Sequence, residues 1–286
     1  MSTIYWLASY PKSGNTWMRI LLTNYLRDAD KAADINRLIS GPIASARTIF
    51  DEFIGIESSD MTQDEIEGWR PAVYKHMAQQ LASPYFMKVH DANIYTQRKE
   101  PLIPPEATGG VIYLIRNPLD VAVSFAHHSN ISVAASVNRL ADMSFTFSNH
   151  GQRLHLQFRQ RLLAWHAHVT SWVDAPNMRL HVVRYEDMKA DAVATFSKVI
   201  RFCGLDPDPD RIRKAVEFSA FERLAAQEQS GSFHEKAPQA KSFFRKGVVG
   251  SWREQLTPEM VEQLIAAHGE VMRRFGYLDE EEQIVY

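Results

Sequence analysis

The chain has 286 residues, 45% of them hydrophobic and 23% charged, a composition that supports a sizeable core and excludes a disordered or fibrous protein. Its formal net charge of −2 gives no global pull toward nucleic acid or an anionic membrane surface, so any anion site must be local. One cysteine excludes an internal disulfide, and with no leader-like opening and no apolar run near the roughly 18 residues of a membrane span, a cytoplasmic protein is expected.

Ile4 to Ser9 (IYWLAS) is a short run of aromatic and branched residues, the pattern of a strand buried on both faces. The turn YPKSGN follows, and Thr16 opens a helix whose apolar face carries Trp17, Ile20, Leu21 and Tyr25. Further strands are predicted at Tyr85 to Val89, Val111 to Ile115 and Leu180 to Val183. Asn117 is a candidate N-cap, with Pro118 at the first helical position. Cys203 falls in a helical pattern and reads as a buried thiol. Residues 29–80 carry mixed helical signals broken by Gly41, Pro42, Gly55 and Pro71. Residues 229–250 lack periodicity and read as a mobile loop. The expectation is one α/β domain over residues 1–286, with a central parallel sheet flanked by helices and the two irregular segments shaping or covering a site.

The most informative stretch is YPKSGNTW, Tyr10 to Trp17. A loop between a buried strand and a helix aims several backbone N–H groups at one spot, and the helix dipole adds positive potential there. Gly14 permits close approach, Ser13 and Thr16 add hydroxyls, and Lys12 adds a full charge. The order differs from GxxxxGK(S/T), because the lysine precedes the glycine and the loop is shorter. The octapeptide resembles the 5′-phosphosulfate loop of the sulfotransferases that use 3′-phosphoadenosine-5′-phosphosulfate (PAPS), usually written YPKSGTTW. Asn15 stands where that family has threonine. The resemblance implies a P-loop-NTPase-like fold, with Lys12 on the transferring group and its bridging oxygen and Trp17 on the adenine. A plain core aromatic remains an adequate reading of Trp17.

Three further motifs follow in that family's order. In FMKVHDA, Lys88 and His90 lie two apart at a strand's end, and a histidine titrating near neutrality suits a general base for a hydroxyl nucleophile. This is similar to the family's K-T/S-H triplet, with Val89 for the small hydroxyl residue. In VIYLIRNPLDVAVSF, Arg116 ends a strand and Ser124 lies two turns into the next helix, resembling the 3′-phosphate motif; an ion pair of Arg116 with Asp120 is the alternative. FFRKGVVGSWRE resembles the C-terminal RKGxxGDW loop, which puts Arg245, Lys246 and Gly247 at the 3′-phosphate, makes Phe244 a cofactor-binding residue, and leaves Ser251, in place of aspartate, without a role. Two shorter echoes put Ser219 and Phe221 (FSAFERL) and Tyr185 (RYEDM) near the adenine, and core packing accounts for either equally well.

The resemblance implies sulfuryl transfer from PAPS to a small-molecule hydroxyl or amine, with adenosine 3′,5′-bisphosphate (PAP) as product. His90 is expected as base, Lys12 at the departing phosphate oxygen and Lys88 at the sulfonate. A singly charged sulfonate needs no bridging metal, and none is expected. His127 and His128 are adjacent, and His166 and His168 are two apart on a helix, where side chains point to different faces. A magnesium-ATP kinase leaves Arg116 and Ser124 without a task, and a non-catalytic nucleotide-binding scaffold leaves His90 without one. The acceptor is not legible, although segments 29–80, 126–155 and 229–243 bring Phe50, Phe53, Trp69, Phe145, Phe147 and Phe233 to its expected site. A homodimer stays open: REQLTPEMVE resembles the family's KxxxTVxxxE dimer segment, but Pro258 replaces valine and removes a backbone donor.

Overall fold

The computed structural model describes residues 3–55, 57–148, 155–237 and 239–286. Residues 56 and 149–154 of the expected acceptor segments and residue 238 of the expected cover segment lie outside them. The strands, in chain order, are β1 (Ile4–Ser9), β2 (Tyr85–Val89), β3 (Thr108–Ile115), β4 (Thr146–Phe147), β5 (Gln160–Arg161) and β6 (Leu180–Arg184). The helices are α1 (Asn15–Arg27), α2 (Arg47–Ile54), α3 (Gln63–Gln80), α4 (Pro118–Ser129), α5 (Val133–Ala141) and α6 (Trp165–Val173), then α7 (Tyr185–Ala190), α8 (Ala192–Phe202), α9 (Pro209–Phe218), α10 (Phe221–Gly231) and α11 (Pro258–Arg274).

This is an α/β fold with a central parallel sheet flanked by helices, and the sheet has the order β2-β1-β3-β6. Every residue of β1 is buried, as its unbroken apolar run requires of an interior strand. It pairs in parallel with β2, from Ile4 opposite Tyr85 to Ala8 opposite Val89. The chain divides into two compact units. The first comprises Met1–Tyr10, Ser40–Tyr113 and Asp142–Val182, and the second Pro11–Ile39, Leu114–Ala141 and Val183–Tyr286. The first unit holds β1, β2 and most of β3 and β6. The second holds α1 and all helices from α7 onward. No helix among the described residues is long and apolar enough to cross a membrane.

Two expectations need correction. Pro71 does not end a helix, for α3 runs through it to Gln80 from a Thr62–Glu65 capping box. An interior proline ordinarily costs about 3 kcal/mol. Here its neighbour Arg70 is buried and forked onto Asp91 (2.9 and 2.7 Å), with its Nε donating to Tyr74 Oη (2.9 Å), so tertiary bonds hold the turn. Residues 229–250 are not a free loop throughout. Helix α10 extends to Gly231, and Phe233 is buried in a cluster with Ile20, Ile35 and Leu224. Glu235 adds an ion pair to Arg19 at 2.5 Å.

Candidate functional site

The second unit gathers the loop, Arg116, Tyr185 and the C-terminal RKG segment. The loop turns sharply, with Lys12 at φ 74° and Gly14 at φ 98°. Gly14 is the N-cap of α1 and makes no side-chain cap, at the helix end whose N–H groups and dipole favour an anion. A Cβ on Gly14 would stand 2.9 Å from Cδ2 of Tyr185, so close approach as well as backbone sign requires glycine here. Ser13 is fully buried and its hydroxyl has no hydrogen-bond partner among the described residues. Asn15 and Thr16 begin α1 and are buried. The Lys12 ammonium lies 4.1 Å from the centre of the Phe243 ring.

Arg116 follows β3 and is 8% exposed. It donates to the carbonyls of Lys12 (3.3 Å) and Val248 (3.1 Å), and its guanidinium lies 4.2 Å from the centre of the Tyr185 ring. Its Nε, also buried, has no partner among the described residues. The alternative ion pair with Asp120 exists at 3.7 Å. Asp120 is nevertheless committed elsewhere: it accepts from Gly250 N (2.8 Å), Ser251 Oγ (3.0 Å) and Trp252 N (3.1 Å). Burial first, and then the like charge of Arg116, pull the Arg245 guanidinium below its ordinary range. Two guanidiniums repelling each other beside unspent buried donors describe a place built for an anion. A group carrying several phosphate or sulfate oxygens fits these residues.

Around this pocket of charge lie rings. Trp17 is half-buried, donates from Nε1 to the Ser219 carbonyl (3.0 Å) and meets Tyr185 edge-on at 5.9 Å. Gly247, at φ 61°, presses so closely on Phe221 that a Cβ would lie 2.4 Å from its ring. Phe244 meets Phe221 edge-on at 6.5 Å. Glu228 of α10 accepts from the backbone N–H groups of Phe243 (2.7 Å) and Phe244 (2.9 Å), holding the segment in front of Arg245. Lys246 is exposed and paired with Glu254 at 2.5 Å. Ser124 is half-buried on α4. Ser219 departs from expectation. Its hydroxyl is wholly buried, donates to the Ala215 carbonyl (2.7 Å) and accepts from Asn24 (3.0 Å), so its backbone, not its side chain, touches a site residue.

The first unit holds Lys88 and His90. Lys88 lies in β2 opposite Leu7 and is half-buried, and its carbonyl accepts from Ala44 N (2.8 Å). His90 follows β2, and its Nδ1 lies 2.8 Å from the Ser9 carbonyl oxygen and 3.2 Å from Ser9 Oγ. A carbonyl only accepts, so the neutral ring carries its proton on Nδ1 and keeps the lone pair on Nε2. That is the tautomer a general base needs.

Several residues of consequence were missed in the sequence. Asp120 was visible only as an i+4 partner of Arg116, and its bonds to a loop 130 residues away carry no local signal. Glu228 and Ser9 had none either. Two expected acceptor-site rings are core: Phe233 as above, and Phe50, 2% exposed and edge-on to Phe158 at 5.2 Å. Trp69 is exposed and stacks under Arg98, 4.5 Å from the ring centre. Phe53, Phe145 and Phe147 are half-buried.

A family model described as the sulfotransferase domain matches residues 3–276. Sulfotransferase 2A6 of Mus musculus is 30% identical over 159 residues, which are 53% of this chain and 52% of that protein. The chain thus spans about half the length of that relative. Sulfotransferase 1E1 of Rattus norvegicus is 24% identical over 272 residues, 92% of this chain and 80% of that one. Among solved structures, mouse sulfotransferase SULT7A1 complexed with PAP shares the fold with a TM-score of 0.60 at 21% identity, covering 95% of this chain and 85% of that one.

Proposed function

The chain belongs to the sulfotransferase domain family, and from that premise we propose that it transfers a sulfuryl group from PAPS to a hydroxyl or amine of a small-molecule acceptor. One observation carries the reading: the buried Ser13 hydroxyl and Arg116 Nε, without a partner among the described residues, lie in the unit where Arg116 and Arg245 repel each other. PAPS supplies an activated sulfuryl group whose S–O bond to phosphate breaks as the acceptor oxygen or nitrogen bonds to sulfur.

The residues divide the work. Ser13, Gly14, Asn15 and Thr16 hold the 5′ end of the nucleotide through backbone and side-chain donors. Arg116, Ser124, Arg245, Lys246 and Gly247 take the 3′-phosphate. Trp17, Tyr185, Phe221 and Phe244 supply ring faces for the adenine, and Ser219 fixes Trp17 through its carbonyl. The Lys12 ammonium balances charge on the departing phosphate oxygen, and Lys88 that on the sulfonate. His90 Nε2 takes the proton of the attacking group, and replacing it with alanine is expected to cost about 10²- to 10⁴-fold in rate.

The magnesium-ATP kinase alternative finds no support among the relatives, and a scaffold has no use for the base-ready tautomer of His90. A reducing, cytoplasmic setting suits Cys203, a buried thiol at the C-cap of α8. We carry over no dimer from the C-terminal segment, because Pro258, the first residue of α11, stands where the dimer motif has valine and lacks its backbone donor.

The test is thermal stabilisation by PAP against ADP and ATP, with and without magnesium. At a hundredfold excess over Kd a ligand adds about 2.7 kcal/mol, a shift of several degrees. The expected result is a shift with PAP that Arg116→Ala abolishes. A shift with magnesium-ATP and none with PAP overturns the reading.

A further inference from the structure

Helix α6 presents two ring N–H donors one turn apart, His168 and Trp172, both fully buried. They meet two successive carbonyls of the segment after β2. His168 Nε2 is 3.1 Å from the carbonyl oxygen of His90, and Trp172 Nε1 donates to that of Asp91 at 3.0 Å. The side chain of Asp91 is fixed in turn by the fork of Arg70 at 2.9 and 2.7 Å. The backbone of the proposed base is therefore held from one helix face, while its ring is held by Ser9.

The protons on this chain of bonds can be placed. The His90 carbonyl only accepts, so His168 carries hydrogen on Nε2. Burial pulls His168 down to about 4, which keeps it neutral near pH 7 and leaves a lone pair on Nδ1. Tyr113 Oη lies 2.8 Å from that Nδ1 and, its hydroxyl held protonated by burial, donates to it. The Tyr113–His168 contact and the contact of His168 with the His90 carbonyl thus each have one assignment. A buried neutral histidine with both nitrogens spent on a proposed base's support has no task of its own in proton transfer.

We propose that His168, oriented by Tyr113, is a positioning residue that fixes the backbone of His90 so that the ring keeps hydrogen on Nδ1 and presents Nε2 to the acceptor. The proposal rests on His90 being the base of the sulfuryl transfer. A glutamine at the same place keeps one donor and one acceptor about as far apart as the two ring nitrogens, and phenylalanine keeps the volume with neither.

The test compares wild type, His168→Gln and His168→Phe by two readouts. Long-range proton–nitrogen NMR of histidine-labelled protein reports the His90 tautomer without any turnover. PAPS turnover with a phenolic test acceptor reports kcat and KM separately. The expected result is a single Nδ1–H tautomer for His90 in wild type and His168→Gln, and a mixture in His168→Phe. Turnover of His168→Phe should fall about 10- to 100-fold in kcat, since small displacements of a reacting group cost that much. Its acceptor KM and its stabilisation by PAP should hold, and His168→Gln should recover kcat to within about 3-fold. If His168→Phe fails to fold, Tyr113→Phe takes its place and should show the same tautomer mixing. An unchanged tautomer in the folded variant overturns the proposal, as does an unchanged kcat. A wild type inert toward PAPS and unshifted by PAP removes the sulfotransferase reading, while the tautomer comparison still decides whether His168 positions His90.

Discussion

Ser251 donates its hydroxyl to Asp120 at 3.0 Å, across 131 positions of sequence, and the backbone N–H groups on either side, those of Gly250 and Trp252, join the same carboxylate. The family's usual residue here is aspartate, which would set two carboxylates against each other. Serine turns that contact into a hydrogen bond and lets Asp120 tie down the segment whose Val248 carbonyl receives Arg116. Ser251→Ala should cost about 1 kcal/mol, a few degrees of Tm, and leave PAP stabilisation intact. Asp120→Ala strands three donors near Arg116. It should cost about 3–5 kcal/mol and abolish the PAP shift, both read in one set of thermal melts.

Gly14→Ala asks the loop for two things at once. At φ 98° a side chain is strained by about 1–2 kcal/mol, and the new methyl would press on the Tyr185 ring. Because Tyr185 also lies under Arg116, the displacement should spread to both anion-holding elements. PAP affinity by calorimetry should fall at least tenfold, more than the loss of Tm alone would suggest.

Glu228→Ala removes one buried carboxylate that receives two backbone donors, of Phe243 and Phe244. Each stranded N–H costs about 1–3 kcal/mol unless water reaches it, and water reaches it when the segment lifts. Limited proteolysis should therefore cut between residues 236 and 250 faster in this variant, and saturating PAP should slow the cutting. Equal rates in variant and wild type would remove Glu228 as the anchor.

Stability should fall in mild acid through His168. Burial lowers it from 6.5 in the unfolded chain to about 4. Between those values the unfolded state binds the proton that the folded state refuses, so unfolding is favoured as the pH drops. The loss across that window is about 3 kcal/mol at most, and His168→Gln should flatten this part of the curve in urea titrations at pH 7, 5.5 and 4.5.

Much of this was legible because it is local. The run IYWLAS is an interior strand in any parallel sheet, and Asn117 followed by Pro118 caps a helix through its own side chain, Oδ1 accepting from Leu119 N at 3.0 Å. The order of YPKSGNTW, KVH, RNP and RKG along the chain carries the family resemblance without reference to the fold. Pro71 misled because a proline's local cost is a fact about an isolated helix. Arg70, forked onto Asp91, lies outside that account. Ser219 misled because a hydroxyl reads the same in sequence whether it faces a ligand or its own helix.

Apart from the short β4–β5 pair, local sequence was enough for the α/β class, the strands, the phosphate-type loop and the residue types available for anion binding and proton transfer. These follow from periodicities and turn chemistry within a dozen residues. The tertiary structure decided which polar groups are spent and which are left. Asp120 is taken by Gly250, Ser251 and Trp252, Ser219 by Asn24, and the His90 carbonyl by His168, whereas Ser13 Oγ and Arg116 Nε have no partner among the described residues. The physical reason is that a hydrogen bond is satisfied in space, by groups that chain folding brings together from any distance in sequence, and only that pairing fixes a tautomer or leaves a buried donor for a ligand.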